Sequence, residues 1–192
     1  MVREIKGKNE NPYEKSRLVI AVIAACLQNS VKLKLRDITQ VYLQSRTVVQ
    51  RYILAQLPPQ LQQKFLPDTT LHVIKPLYGV AESGVHWFTT YQKHHIEKLN
   101  MVTSTYDPCL LITKSDSIDS RFGIVGMQTD DTLIVANSEF SAKEQEKIEK
   151  AKFDTKAKQT LSSDMPLNFN GYTVAIDSSI GSIKMYQKGQ GL

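Results

Sequence analysis

The chain has 192 residues, the length of one ordinary domain or of two very small ones. It is 41% hydrophobic and 22% charged, a composition that excludes collagen, coiled coils and wholesale disorder and is typical of a soluble globular protein. Its two cysteines, Cys26 and Cys109, lie in apolar runs without a CxxC partner, so neither a zinc ribbon nor a disulfide framework is predicted. The longest apolar run, residues 18–27, is about half of the ~20 residues that span a bilayer, so no membrane segment is predicted.

Charge is distributed unevenly along the chain, whose formal net charge is +5. Residues 1–66 hold 11 Lys and Arg against 4 Asp and Glu, a net of +7, whereas residues 67–192 hold 13 against 15, a net of −2. A basic first third suits a surface that binds polyanions, because each neutralised phosphate releases condensed counterions. A merely solvated basic face explains the same charge, and charge alone does not decide between the two.

The start of the chain divides into an arm, an apolar run and a strand. Residues 1–15 are polar and contain a turn-forming cluster, so they are predicted to form a loop or a frayed arm, and the apolar run is predicted to be helical toward Gln28. Residues 31–37 alternate strictly between apolar and polar side chains, which predicts a half-buried strand. Asp37 falls on the apolar parity, where it either meets a cation or hydrogen-bond donors, or ends the strand and caps the next turn.

The middle of the chain is predicted to hold a connection, a short strand and a helix. Residues 56–70 are rich in Pro and Gln and are predicted to form a connecting segment. Val73–Leu77 is predicted to form a short strand, in which Pro76 is tolerated only at an edge or an end. A helix is predicted from Ser83, with an apolar stripe at 3.6-residue spacing that Trp87 flanks. The stripe comprises Val85, Phe88, Tyr91, His95, Ile96 and Leu99, all predicted to be core residues.

The last part of the chain is predicted to alternate strand pairs with one helix. The predicted elements are a strand at Leu110–Thr113, β-prone runs at Phe122–Thr129 and Thr132–Ala136, a helix from the capping box Ser141–Glu144 to about Lys152, and a second hairpin from Phe169–Ile176 and Ser182–Gln187. Helices placed between short antiparallel strand pairs predict an α+β fold with helices on one face of a sheet.

Two adjacent carboxylates, Asp130 and Asp131, are predicted at the turn between two hydrophobic strands. Adjacent negative charges are unfavourable unless a positive charge is near, and hard divalent cations, Mg²⁺ above all, suit such oxygen ligands. Asp37 is the natural third ligand, and three carboxylates allow two metals to sit ~4 Å apart for phosphoryl transfer. A solvated turn without a ligand is the alternative. The histidines lack metal-ligand spacing and are predicted to be surface or partly buried packing residues: His72, His86, His94 and His95.

Five short motifs occur along residues 31–187. Residues 36–43 are RDITQVYL, residues 75–79 are KPLYG with Trp87 eight residues further on, residues 106–110 are YDPCL, residues 128–131 are QTDD, and residues 169–171 are FNG. In this order they resemble the DVKTAFL, KPLYGLKQAPRAW, DPCLF, YVDD and FLG segments of copia-type LTR retrotransposon reverse transcriptases. The chain is therefore predicted to be an RNA-directed DNA polymerase domain of a Pol polyprotein.

The resemblance implies a polymerase palm, with an antiparallel sheet, helices on one face of it, partial fingers and no thumb. Residues 1–30 would be a basic arm and a remnant of the fingers, and residues 31–192 an incomplete palm-like reverse transcriptase domain without RNase H. Asp37, Asp130 and Asp131 would be the catalytic residues and would hold two Mg²⁺ ions during nucleotidyl transfer to a primer 3′-hydroxyl.

The resemblance also implies binding residues and partners. Ile38, Tyr42 and Gly79 would bind the nucleotide, with the Tyr42 ring under the sugar, where it excludes a 2′-hydroxyl, and with Gly79 allowing close backbone approach. The residues implied to support the primer end are Phe169, Asn170 and Gly171. The implied partners are an RNA template, a DNA primer and deoxynucleoside triphosphates, with other Pol polyprotein domains as further candidates and no membrane. The family works in the cytoplasm and then the nucleus, and no address signal is present here.

The chain departs from the family pattern at several places. Gln128-Thr129 replaces Tyr-Val, and Ala81–Val85 replaces Lys-Gln-Ala-Pro-Arg, which removes two positive charges and adds one negative charge where phosphates would pass. Residues 13–19 resemble a fingers strand that runs almost directly into the segment before Asp37, and no thumb follows, so the chain resembles a truncated or degenerate copy. Two alternatives follow: an inactive remnant with weak nonspecific nucleic-acid binding, and an α+β protein without a ligand whose three carboxylates lie far apart.

Overall fold

The computed structural model describes residues 31–114, 120–169, 171–177 and 182–187. The arm and partial fingers predicted for residues 1–30 lie outside the described residues. The strands are β1 (Lys32–Asp37), β2 (Leu54–Gln56), β3 (Thr70–His72), β4 (Met101–Thr103), β5 (Leu110–Thr113), β6 (Gly123–Gln128), β7 (Asp131–Ala136), β8 (Gln159–Thr160), β9 (Leu167–Phe169), β10 (Tyr172–Asp177) and β11 (Ser182–Gln187). The α-helices are α1 (Pro59–Gln62), α2 (Ser83–Leu99) and α3 (Ser138–Ala151), and a short 3-10 helix covers Val41–Gln44. None of the helices in these ranges is long and apolar enough to cross a membrane.

The main sheet has six antiparallel strands in the order β4-β5-β6-β7-β1-β8. β1 lies between β7 and β8, so both of its edges are hydrogen-bonded. Its predicted alternation is confirmed, since Leu33 and Leu35 are 3% and 6% exposed. Arg36, on the opposite face, is only 1% exposed, so the end of β1 is covered on both faces.

Helices α2 and α3 pack on one face of this sheet. The shared core comprises, among others, Trp87 and Tyr91 of α2, Phe140 and Ile148 of α3, and Met101, Leu111, Val125 and Ile134 of the sheet. The predicted hairpin between β6 and β7 is also confirmed. The α+β class with antiparallel strands that the sequence predicts is therefore what the structure shows.

The opposite face of the main sheet packs against a second sheet, of order β11-β10-β9. One buried cluster joins Leu33 and Leu133 of the main sheet to Leu167 and Val174 of the second. β10 and β11 pair along their full lengths, which confirms the second predicted hairpin. Phe169, predicted within its first strand, ends the preceding strand β9 instead. The main sheet is thus the middle layer of three.

Helix α3 begins at Ser138 and not at the predicted capping box. Asn137 is the N-cap, and its Oδ1 accepts the Phe140 N–H at 3.0 Å. Ser141 and Glu144 are both buried within the helix, and Glu144 pairs with a cation on the sheet. The capping-box prediction is wrong. Ser141 and Glu144 have the spacing of a capping box, but they lie within the helix, on the face that packs against the sheet.

Helix α2 begins at Ser83, as predicted, but its buried face differs from the predicted stripe. Trp87 and Tyr91 are 2% and 1% exposed, whereas Val85 and Ile96 are 66% and 40% exposed. Trp87 stacks on Tyr91 and bonds to the turn after β6, so the helix is rotated to bury the indole. The stripe prediction is therefore wrong at its two β-branched members.

Two histidines of α2 lie in the core. His94 and His95 are 6% and 0% exposed, and His95 Nδ1 donates to the Tyr91 carbonyl oxygen at 2.9 Å. The Nε2 atoms of both rings are buried without a hydrogen-bond partner. The prediction of surface or partly buried histidines is wrong for these two, because the rotation of α2 packs His94 against the ring of Phe153. The prediction of His95 as a core residue of the stripe is confirmed.

The strand predicted at Val73–Leu77 is not formed. Instead, β2 pairs with β3, which ends at His72. Val73 N–H still donates to the Ile53 carbonyl oxygen at 2.9 Å, but the chain then leaves the ladder. Pro76 has no N–H with which to continue the pairing.

Candidate active site

The three predicted site aspartates lie where β1 ends and β7 begins. Asp37 is the last residue of β1 and Asp131 the first residue of β7, and the two are register partners. Asp130 precedes β7, and its carbonyl oxygen accepts the Ile38 N–H at 2.9 Å. Cross-strand partners have Cβ atoms ~4.5–5.5 Å apart, so the Asp37 and Asp131 side chains occupy adjacent positions. The fold therefore brings together carboxylates that are distant in the sequence.

The turn that carries the aspartates is shifted by one residue from the predicted Asp130-Asp131 turn. β6 ends at Gln128, which pairs with Asp131, so Thr129 and Asp130 form the connection. Thr129 has a φ of +47°, which is unfavourable for a β-branched residue. Its carbonyl oxygen accepts the indole N–H of Trp87 at 2.6 Å. A side chain of α2 thus contacts the turn directly.

A lysine lies against Asp37. Lys156 Nζ donates to Asp37 Oδ2 at 2.6 Å, and the Lys156 backbone N–H donates to the Asp37 carbonyl oxygen at 2.9 Å. The hydrogen bond to Asp37, followed by the negative charges of Asp37, Asp131 and Asp130, raises the pKa of Lys156. The ammonium group therefore balances one of the three negative charges of the site.

Asp131 is difficult to ionise. Burial first, and the charges of Asp130 and Asp37 second, raise the pKa of Asp131 to about 6, against the opposing effect of Lys156. A divalent cation at this position would reverse that effect, because bound cations are the largest local charges in such sites. The repulsion among the carboxylates is thus a cost that a cation would remove.

Asp131→Asn is expected to stabilise the protein at pH 7.5 and to leave its stability unchanged near pH 4. The raised pKa means that the folded protein holds a proton that the unfolded chain releases, so stability is lost as the pH rises from about 4 through about 6. After allowance for partial exposure, the expected gain at pH 7.5 is about 1–2 kcal/mol in the free energy of unfolding. Urea denaturation at several pH values measures it.

The matched control for this prediction is Asp164→Asn. Asp164 is exposed, in the turn closed by the Ser162–Met165 bridge. Its replacement is expected to leave stability unchanged at each pH, because nothing buries the carboxylate. A gain for Asp131→Asn that is equal at pH 4 and pH 7.5 would contradict the electrostatic origin.

The donor atoms suit a hard divalent cation, but the side chains as placed do not form a binding group. Carboxylate oxygens are the ligands that Mg²⁺ prefers. Within the ranges that the structure describes, no three Asp, Glu, His or Cys side chains are grouped closely enough to hold a metal ion. A cation shared by Asp37 and Asp131 would compete with Lys156 for Oδ2 of Asp37. Because that ion pair is 65% and 35% exposed, breaking it costs only about 0–1 kcal/mol.

Two of the predicted nucleotide-binding residues belong to neighbouring segments. The ring of Tyr42 lies 4.6 Å from that of Tyr78, the residue before Gly79. Gly79 has a φ of +91°, and a Cβ there would meet no atom within 4 Å, so the space beside this backbone is open. Ile38, in contrast, is 1% exposed and packs in the core, so its side chain presents no surface to a nucleotide.

The residues predicted to support a primer lie beside the second sheet. Phe169 is buried in the cluster between the two sheets. Gly171 has a φ of +79° and directly precedes β10. Asn170 lies outside the described residues. The Phe169 ring thus supports the sheet from inside the protein.

Directly before Asp37 lies a buried ion pair that the sequence pattern does not predict. The Nε and Nη2 atoms of Arg36 donate to the two carboxylate oxygens of Glu144 at 2.8 and 2.7 Å. Lys158 Nζ also donates to Glu144 Oε2 at 2.8 Å. The pair ties the end of β1 to α3 and so fixes the backbone that carries Asp37. In a half-buried strand, Arg36 is expected to face solvent. The only sequence signal for its burial was a glutamate, Glu144, on the predicted helix.

Three of the six described basic residues of the first third have partners within the protein that bear on its charge. Arg36 and Arg51 each pair with a glutamate, and the Arg46 guanidinium lies over the ring of Phe153. Five of the eleven Lys and Arg of this third lie in residues 1–30, outside the described residues. The described surface therefore supports polyanion binding less than the charge count implies.

Comparisons with protein-family models, curated proteins and solved structures found no match to this chain. The resemblance to reverse transcriptases therefore depends on the sequence motifs, to which the structure adds the geometry described above.

Proposed function

We propose that this chain is the palm-like RNA-directed DNA polymerase domain of a copia-type retrotransposon, which transfers nucleotides to a primer 3′-hydroxyl. The observation that best supports the proposal is the register of β1 and β7, in which Asp37 lies opposite Asp131. Two-metal phosphoryl transfer needs carboxylates from separate segments at one place. The order of the five motifs along the chain supports the same reaction.

The roles of the residues follow from this arrangement. Asp37, Asp130 and Asp131 would hold two Mg²⁺ ions, which supply charge stabilisation to the attacking and leaving oxygens of phosphoryl transfer. β1 and β7 hold the carboxylates in register, and Arg36 anchors β1 from behind. Tyr42 would border the deoxynucleotide sugar, next to the open backbone at Gly79. An RNA template and a DNA primer complete the set of partners.

Primer extension tests the proposal. The chain is incubated with a DNA primer on an RNA template, deoxynucleoside triphosphates and Mg²⁺, and extended products are expected. Asp37→Asn and Asp130→Asn are each expected to reduce extension at least about 100-fold, because a bound metal contributes several kcal/mol of charge stabilisation.

Asp164→Asn is again the matched control, since it removes an exposed carboxylate of the same type. It is expected to extend the primer at the wild-type rate. Undiminished extension by Asp130→Asn would contradict the role of that carboxylate.

A second candidate function is an inactive remnant that binds nucleic acid weakly. It is favoured by the ammonium group of Lys156 on Asp37, and by the absence of a metal-binding group among the described residues. This function predicts binding of a labelled RNA–DNA hybrid without extension. The logarithm of the affinity should fall with the logarithm of salt concentration, with a slope of roughly −0.9 per phosphate contact. Binding that is independent of salt would contradict it.

A further inference from the structure

A single hydrogen bond joins helix α2 to the turn that carries the aspartates. Trp87 Nε1–H donates to the Thr129 carbonyl oxygen at 2.6 Å, and Trp87 is 2% exposed. Its ring stacks on that of Tyr91, with centroids 4.9 Å apart and 17° between the planes. It also packs against the Phe153 ring in a T-shaped arrangement, with the centroids 5.7 Å apart. Packing therefore fixes the indole, so its N–H is a rigid donor to the turn.

Thr129 needs such a partner because its backbone is in the left-handed region. At a φ of +47°, a β-branched side chain crowds its own backbone, and such conformations persist only where the surroundings enforce them. A glycine adopts the same φ without this crowding. The next residue is Asp130, so relaxation of Thr129 would rotate the peptide that leads into the site.

On the side of β1, the turn is held by the Ile38 N–H, which donates to the Asp130 carbonyl oxygen at 2.9 Å, but on the side of α2 little else packs against it. A cavity of about 230 Å³ adjoins it, lined by Trp87, Phe88, Met127 and Thr129, among others. Beyond the two aspartates, Thr132 Oγ1 donates to the Tyr91 hydroxyl at 3.4 Å. Helix α2 therefore contacts the hairpin on both sides of the aspartates, and the indole hydrogen bond is the shorter of these two contacts.

We infer that Trp87 is a positioning residue, whose indole N–H holds the Thr129 peptide in its strained conformation and thereby fixes Asp130 and Asp131 relative to Asp37. The expected consequence of this restraint is divalent-cation binding by the aspartates, and this consequence rests on the proposed function. The backbone restraint itself rests on the geometry of the turn.

A double-mutant cycle tests the restraint. Trp87→Phe keeps an aromatic ring and removes the N–H donor, whereas Thr129→Gly keeps the carbonyl acceptor and removes the strain. The unfolding equilibrium constant is measured in urea for the wild type, both single variants and the double variant. Trp87→Phe is expected to raise this constant about fivefold to tenfold more in the Thr129→Gly background than in the wild type, because in the wild type the loss of the bond also releases the strain at Thr129. Additive effects would overturn the inference, because lost packing alone is the same in both backgrounds.

Binding of Mn²⁺ alone, followed by electron paramagnetic resonance, tests the consequence. Trp87→Phe is expected to weaken binding about tenfold, and the double variant to bind within about threefold of Thr129→Gly. Phe88→Leu is the matched control, because Phe88 lines the same cavity from the same helix but makes no hydrogen bond to the turn. Equal binding by the wild type and Trp87→Phe would overturn the inference. If the wild type bound no Mn²⁺, the proposed function would fail, and the unfolding cycle would still decide the restraint.

The hydrogen bond can also be observed directly. Trp87 is the only tryptophan in the chain, so its indole proton gives one NMR resonance. Slow exchange of that proton with solvent is expected in the wild type and still slower exchange in Thr129→Gly, because glycine removes the backbone strain that favours opening of the turn. Exchange as fast as in a free indole would overturn the inference.

Discussion

Glu144→Gln is expected to lower the free energy of unfolding by about 3–5 kcal/mol, the cost of leaving a buried charge without its counter-ion. Arg36 and Glu144 are 1% and 0% exposed at their side chains. The guanidinium donates to both carboxylate oxygens, and a glutamine side chain offers only one acceptor oxygen. Lys158, which is 14% exposed, loses the same ionic partner. Urea denaturation at pH 7 measures the loss.

The matched control for Glu144→Gln is Glu146→Gln on the same helix. Glu146 is 40% exposed and pairs with lysines at the surface, so its replacement is expected to cost less than about 1 kcal/mol. A double variant, Arg36→Met with Glu144→Leu, is expected to be more stable than Glu144→Gln, because removing both charges removes the desolvation cost. Equal losses for the two single glutamine variants would contradict a buried ion pair.

Acidification below pH 6.5 is expected to destabilise the wild type more than His94→Leu. Burial first, and the charges of His95 and Arg46 second, lower the pKa of His94 to about 3. Between about pH 6.5 and pH 3, His94 is therefore protonated in the unfolded chain but not in the folded protein. The free energy of unfolding falls as the pH falls through this interval. The difference in the free energy of unfolding between the two proteins should change by about 2–3 kcal/mol from pH 7 to pH 4.

This difference isolates His94 from the other groups that titrate in the same interval. Burial also lowers the pKa of His95, whereas the raised pKa of Asp131 acts in the opposite direction. Both groups are present in the two proteins, so their contributions cancel. His72→Gln, at an exposed position of β3, serves as the control and is expected to show no such change. A constant difference between the wild type and His94→Leu would contradict the prediction.

The sequence predicted those features that depend on local pattern. Strict alternation predicted β1, and two apolar β-prone runs separated by two aspartates predicted the hairpin of β6 and β7. The parity of Asp37 placed it on the apolar side of its strand. Asp37 lies opposite Asp131 only because β1 pairs with β7, and no local sequence pattern specifies that pairing.

The remaining features depend on contacts between distant segments. Alternation assigns Arg36 to solvent, and only the arrival of α3 makes it a core residue paired with Glu144. A strand that is buried on both faces usually reads as a continuous apolar run. β1 lacks that run, because the charge of Arg36 on its second face is paired with Glu144. Likewise, the rotation of α2 follows from the hydrogen bond of Trp87 to Thr129, whose strained backbone the sequence does not reveal.

The place of β1 in the main sheet has a consequence for how the protein is made. Both of its neighbours, β7 and β8, are formed by residues that a ribosome adds much later. Until Gln159 and Thr160 emerge, β1 has an open backbone edge, and such unpaired edges promote aggregation. Pairing across so much intervening chain also slows folding, because loop closure precedes the contacts that reward it. A nascent chain arrested before β8 would therefore be the species most in need of a chaperone.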